Sequence, residues 1–204
     1  MSILFQNGTK NEGFLLNSFQ VLSKTDHIIK NSNHLPNLVD LLSDGDFESA
    51  EVLLKSTSFN PDEFLEFATW APDKYTRNCI ASNDHFELIL LCWPPGQGTQ
   101  IHNHDNKNCL VKVISGNLLE KTYQLQEESF IPTGSSILLS GEVTQATAEA
   151  ENFLHSLKNY TPQRAMSLHL YMEPIKQCLV FDSEESCFKQ VEVTYDTEAA
   201  HVAS

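Results

Sequence analysis

The chain is poor in positive charge. It carries 13 Lys and Arg against 27 Asp and Glu, a formal net charge of −14. Phosphate backbones are bound through Lys and Arg, so a nucleic-acid partner is not expected. No apolar run approaches the length of a membrane span, so no membrane partner is expected either. The stretch LILLCW at 88–93 is far too short and reads as a buried strand. The opening MSILFQNGTKNEG has no basic region followed by an apolar core, and no signal peptide is read there. The five cysteines, Cys79, Cys92, Cys109, Cys178 and Cys187, form no CxxC pair, and their number is odd. That excludes a tidy disulfide framework and points to free thiols in the reducing cytoplasm. Four read as small buried hydrophobes, and Cys109 stands apart. Repeats, low-complexity tracts and linkers are also missing. The expectation is a single domain over 1–204 and a monomer. Residues 1–71 form a partly helical N-terminal part, about 72–195 a β-barrel, and 196–204 a frayed tail.

Residues 1–34 show little periodicity. LPNLVDLLSDGD has helically spaced leucines and a stop at Asp44-Gly45. Asp46 is placed to cap a second helix, FESAEVLLKS, with Phe47, Ala50, Leu53 and Leu54 on one face. Asn60-Pro61-Asp62-Glu63 reads as the capped start of a third helix, DEFLEFA. Beyond residue 72, short β-like runs alternate with turn residues: KYTRNCI, FELILLCW, CLVKVI, NLLEKTYQL, SSILL, FLHSLK, AMSLHLYM, QCLVFD and KQVEVTY. That spacing predicts a mainly β sandwich or barrel.

His102 and His104 stand two apart, so on a strand both imidazoles face one side and can meet at one ion. Alone, an H-x-H pair also fits two polar residues in a loop. The segment from Gly96 to Gly116 reads G-x5-H-x-H-x4-C-x6-G. It resembles the first cupin motif, with Cys109 where a glutamate is usual. His155-Ser-Leu-Lys-Asn159 resembles the end of the second, with Pro132-Thr133-Gly134 a partial match upstream. This likeness implies a jelly-roll (double-stranded β-helix) barrel. It also implies a metal held by histidines, and imidazole suits iron, copper, zinc and nickel.

The stretches YTRNC, LCWPPGQGTQIHNHDNKNCLVKVISGNL and HSLKNYTPQRAMSLHLYMEP are similar to the cysteine dioxygenase family, from Tyr75 to Tyr171. The resemblance implies Fe(2+) on His102, His104 and His155, acting on L-cysteine and O2 to give 3-sulfinoalanine. That product leads toward hypotaurine and taurine or toward sulfite and pyruvate. It implies that Arg77, two residues from Tyr75, holds the substrate carboxylate, with Tyr75 and Tyr171 adding hydrogen bonds. In AMSLHLYM, a period of two puts Ser167, His169 and Tyr171 on one face. That face is either solvated or, as the resemblance implies, a hydrogen-bonded row ending at a catalytic phenol. The resemblance further implies a thioether crosslink between Cys109 and Tyr171, meeting from strands opposed across the barrel mouth. A buried free thiol is the alternative for Cys109. Asn108 stands where animal members carry histidine. Two other functions stay open. One is dioxygenation of another small thiol such as 3-mercaptopropionate. The other is a non-catalytic cupin that binds a ligand or metal. His27, His34, His85 and His201 read as surface residues, and Glu120, Lys121, Glu127 and Glu128 as solvated charges.

Overall fold

The computed structural model describes residues 33–127, 129–147 and 152–198, and the expectations for residues 1–32, Glu128 and the end of the tail lie outside them. From His34 onward the described residues belong to one compact unit. Among the described residues, two α-helices lead into the sheets, α1 (His34–Ser43) and α2 (Phe47–Ser56). Leu35, Leu38 and Leu42 of α1 and Ala50 and Leu54 of α2 are buried, one face of each helix. Gly45, at φ +77°, turns the chain between them, and Asp46 accepts the Ser49 amide at 3.1 Å to start α2. The third helix shrinks to a 3-10 turn, Pro61–Phe64. Phe64 is the fully buried residue of the turn, Phe67 and Ala68 are only partly buried against the core, and Leu65 is left 61% exposed. Glu63 is used twice. One oxygen accepts the Asn60 amide at 3.0 Å, and the other accepts the His34 and Leu35 amides at the start of α1.

Ten strands follow: β1 Thr76–Ser82, β2 Phe86–Trp93, β3 Asn108–Ser115, β4 Leu118–Gln126, β5 Ser129–Leu138, β6 Val143–Ala146, β7 Phe153–Lys158, β8 Ala165–Met172, β9 Gln177–Asp182 and β10 Cys187–Glu192. One sheet runs β1-β2-β8-β3-β6, another β5-β4-β7, and β9 pairs with β10. The pairings nest: β3 lies against β8, and β4 against β7. A long hairpin coiled on itself in this way is the jelly-roll closure, so the fold is the mainly β cupin type. Every residue of β2 is buried because both its faces are covered. Leu88, Leu90, Leu168 and Leu170 face the helices, while Ile89, Leu91, Trp93 and Tyr171 belong to a separate cluster on the other face.

Three expectations need correction. The short β6 is absent from the sequence reading, since VTQA carries no alternation to find. Cys187 is only half-buried. The tail does not fray at residue 196: Asp196 accepts the Arg77 amide at 2.9 Å, and Thr197 accepts the Cys79 amide at 3.0 Å. Those anchors lie on β1, far away in sequence.

Candidate active site

His102 and His104 lie in an extended segment between β2 and β3, not in a named strand. The segment is inserted between β7 and β9, and His102 bridges His155 on one side and Val180 on the other. Asn103 points the opposite way and accepts the Leu179 amide at 2.8 Å, which pins the segment to β9. The alternation leaves both imidazoles on one side. His155 reaches them from β7, and one ring nitrogen from each of the three lies within 4.8 Å of the others.

The tautomers follow from the acceptors. Nδ1 of His102 donates to the Gln100 carbonyl at 2.9 Å, and Nδ1 of His155 to the Glu120 carboxylate at 2.9 Å. Each thereby turns its Nε2 toward the cluster. Nε2 of His104 and Nε2 of His155 face each other at 3.1 Å, and Nδ1 of His104 is buried without a hydrogen-bond partner. Burial pushes His102 down to about 3, helped by His155, and holds His104 well below its ordinary value. Three imidazoles with one ring nitrogen each turned to a common point fit a borderline transition metal such as ferrous iron. Glu120, expected in solvent, is buried at 4% exposure, and its second oxygen accepts from Thr144 at 3.0 Å. The alternation Leu118-x-Glu120-x-Thr122 was the signal: Leu118 and Glu120 share the inner face of β4.

Beside the histidines lies a cavity of about 240 Å³, lined by Tyr75, Arg77, His102, His169, Tyr171 and Cys178 among others. It is smaller than pockets for drug-sized ligands, which start near ~300 Å³. Arg77 projects from β1. Its Nε donates to the Thr194 carbonyl at 3.1 Å, and Nη2 lies 3.6 Å from Glu87. Burial opposes its charge, but Tyr171 and Glu87 outweigh this and raise its proton affinity. Tyr75 stacks on Trp93 with ring centres 4.9 Å apart.

Ser167, His169 and Tyr171 share the inner face of β8, all buried. The hydrogen-bonded row is shorter than expected. Trp93 Nε1 donates to Ser167 Oγ at 2.8 Å, and Ser167 meets His169 Nε2 at 2.8 Å. Nδ1 of His169 has no hydrogen-bond partner, so the row ends there, and the His169 and Tyr171 rings lie 6.4 Å apart. Trp93 is the member that sequence reasoning missed. Asn159 fastens the loops: its Nδ2 donates to the Trp93 and Gln163 carbonyls at 3.0 and 2.7 Å.

Cys109 and Tyr171 do not oppose each other across a barrel mouth. They are direct cross-strand partners on β3 and β8 of one sheet. The fully buried thiol is in hydrogen-bonding contact with the phenol, and burial raises the pKa of both groups. Tyr171 also contacts the Arg77 guanidinium and packs edge-on against His104, ring centres 5.5 Å apart. Other histidines stay apart from this cluster: His34 packs on Phe59, and His85 is exposed. His27 and His201 lie outside the described residues.

The family profile described as cysteine dioxygenase type I matches residues 25–184. Cysteine dioxygenase type 1 of Danio rerio is 30% identical over 154 residues, 72% of this chain and 76% of that protein. The Homo sapiens protein of the same name is 27% identical over 156 residues, 74% and 77% of the two chains. Among solved structures, a Klebsiella pneumoniae protein with a double-stranded beta-helix domain aligns with TM-score 0.43 and 17% identity, covering 63% of this chain and 93% of that one.

Proposed function

Because this chain belongs to the cysteine dioxygenase family, we propose that it is an iron(II) enzyme that adds both atoms of O2 to the sulfur of L-cysteine, giving 3-sulfinoalanine. The observation that carries this reading is the convergence of Arg77, Tyr171 and His102 on one small cavity.

His102, His104 and His155 would hold the iron, with Glu120 orienting His155. When bound, the iron supplies the binding and activation of the thiolate and of O2 that sulfur oxidation needs. As metal ligands the three imidazoles would add no negative charge, so the bound ion would keep its full charge for an anionic substrate. Arg77 offers a planar fork to the substrate carboxylate, and shielding from water strengthens that pairing. Tyr75 and Tyr171 supply phenol hydroxyls to the same cavity. Tyr171 is held by its neighbours Arg77, Cys109 and His104, so its oxygen stays aimed at the substrate. The apolar wall of Leu91, Leu157 and Ile175 keeps the sulfur's surroundings dry. The balance is one thiol and one O2 to one sulfinic acid, beyond the sulfenic stage.

Cys109 and Tyr171, cross-strand neighbours in contact, would form a thioether between Sγ and the ring carbon beside the hydroxyl in this reading. Its formation removes one hydrogen from each partner, with O2 taking the two electrons and two protons. The site works as part of one domain, cytoplasmic and monomeric in this reading.

The deciding experiment loads purified protein with ferrous iron and measures O2 uptake and product. Cysteine, 3-mercaptopropionate and cysteamine are supplied side by side. One O2 consumed per 3-sulfinoalanine formed, with cysteine the best substrate, supports the proposal. Preference for 3-mercaptopropionate moves the activity to another thiol. Iron binding with no oxidation of any of the three leaves a non-catalytic cupin.

A further inference from the structure

Glu87 is a carboxylate in the wrong kind of place. It sits on β2 amid Phe86, Leu88 and Ile89, with no exposed surface. Its cross-strand partner on β8 is Tyr171. Its side chain lies 3.6 Å from Arg77 Nη2. Neither Glu87 oxygen, nor that Nη2, makes a hydrogen bond of full geometry. The Tyr195 hydroxyl and the Ile175 backbone also act on this carboxylate, yet a buried ion with no hydrogen bond of full geometry is costly unless a counter-ion or a proton neutralises it. Arg77 is also the fork that faces the cavity. The guanidinium thus stands between an internal carboxylate and the place a substrate carboxylate would take.

We propose that Glu87 is a specificity-determining residue that acts through Arg77. In the empty site it is the counter-ion of the arginine. When a thiol bearing a carboxylate enters, Arg77 turns its charge to the substrate, and Glu87 takes a proton from solvent. Affinity for carboxylate-bearing thiols is therefore coupled to that proton, while affinity for a thiol with no carboxylate is not. The inference rests on the substrate class proposed above.

The charged and titratable groups that meet Glu87 come from four elements. Arg77 on β1 and Tyr195 in the C-terminal segment act on it directly, and it in turn acts on Tyr171 of β8 and Cys109 of β3. Burial raises its pKa; Tyr195 and Arg77 pull the other way. A second carboxylate on the same guanidinium weakens Arg77's pull and adds like charge, so binding raises it further. The sign follows from linkage: binding takes up a proton, so the affinity for cysteine falls as pH rises through the titration. A shift of one unit between empty and filled sites equals about tenfold in affinity.

The test compares wild type, Glu87→Gln and Glu87→Asp as iron-loaded proteins across pH. The readout is the ratio of KM for cysteine to the inhibition constant of cysteamine. Cysteamine carries the same thiol and amine, so their titrations and any general damage to the site cancel. The expected result is a ratio that rises with pH in wild type. In Glu87→Gln it is flat and about tenfold lower at the alkaline end. Glu87→Asp keeps a pH step because it keeps the charge. A ratio in Glu87→Gln that is unchanged, or higher, with the wild-type pH dependence overturns the inference. An infrared difference spectrum without turnover separates this from the function itself. Adding cysteine under argon should raise a protonated-carboxyl band in wild type that Glu87→Gln lacks. If the band appears but cysteine is never oxidised, the proton coupling stands and the dioxygenase reading falls. If cysteine is oxidised with neither band nor pH step, the dioxygenase reading stands and the role of Glu87 falls.

Discussion

Replacing Glu120 tests whether the metal centre depends on a residue that never touches the metal. Its carboxylate accepts from His155 Nδ1 at 2.9 Å and from Thr144 at 3.0 Å, at 4% exposure. Glu120→Gln keeps the shape, and the amide oxygen still accepts from Nδ1, but the charge is gone. Charge-assisted hydrogen bonds are roughly twice as strong as neutral ones, so about half of a ~2 kcal/mol interaction is lost. At ~1.4 kcal/mol per factor of ten, iron affinity should fall on the order of fivefold to tenfold. Glu120→Ala removes the acceptor from both donors and should cost nearer ~100-fold, the upper end for groups that orient metal-binding histidines. The metal-free protein should respond differently. There the Glu120 carboxyl is out of water with only the His155 ring and the Thr144 hydroxyl for partners, and a carboxylate out of water is costly. Metal-free Glu120→Gln should therefore be at least as stable as metal-free wild type. The assays are chelator competition for the iron dissociation constant and thermal unfolding with and without metal. The gap in Tm between loaded and metal-free protein should narrow in the Gln variant and narrow further in Ala. Unchanged iron affinity in Glu120→Ala refutes the argument, because His155 would then need no acceptor to hold its tautomer.

His102→Ala, His104→Ala and His155→Ala should each lose iron and activity, while the exposed His85→Ala keeps both; metal analysis after desalting decides it, and full iron occupancy in the His155 variant sinks the ligand set. Arg77→Ala should lower kcat/KM for cysteine by roughly 30- to 1000-fold, from about 2–4 kcal/mol of shielded charge-assisted pairing, with both KM and kcat affected. Intact mass and peptide mapping after turnover with cysteine, iron and air should show a loss of two hydrogens and a linked Cys109–Tyr171 peptide; their absence from active protein returns Cys109 to a buried free thiol. Gly116→Ala should destabilise the fold by at least ~1 kcal/mol, because Gly116 has φ +73° and a Cβ there would meet Ala165 Cβ at 2.7 Å; an unchanged Tm would mean that β8 shifts freely at its start.

The parts of the site that were legible are those written in local spacing. His102 and His104 carry their period of two in adjacent residues, and so do Ser167, His169 and Tyr171. The apolar run of β2 announced a strand buried on both faces. The parts that were not legible depend on pairings between distant strands. Glu120 reads as a surface charge until β7 is laid beside β4 and brings His155 to it. Glu87 looks like a break in an apolar strand until Arg77 arrives from β1. Trp93 reads as core filler until Ser167 is brought to its indole by the β2–β8 pairing. Cys109 and Tyr171 were expected to meet face to face, yet the register of β3 and β8 makes them side-by-side neighbours. Periodicity assigns a face to a residue; only register assigns it a partner.

The insertion of the His102 segment between β7 and β9 also bears on how the protein folds. His102 meets His155 and Val180 only after the nested hairpin has closed and β9 has returned. These are contacts of long sequence separation, and such contacts carry a large loop-closure cost before they give anything back. The full ligand set is therefore complete only once the nested hairpin has closed. His102 and His104 are neighbours in sequence, but His155 joins them only through that closure, so three-ligand binding belongs to the closed barrel. Interactions made after the transition state leave the folding rate nearly untouched and act on the unfolding rate. Under the proposed function iron would act as a kinetic lock: loading it should lengthen the lifetime of the native state more than it hastens its formation.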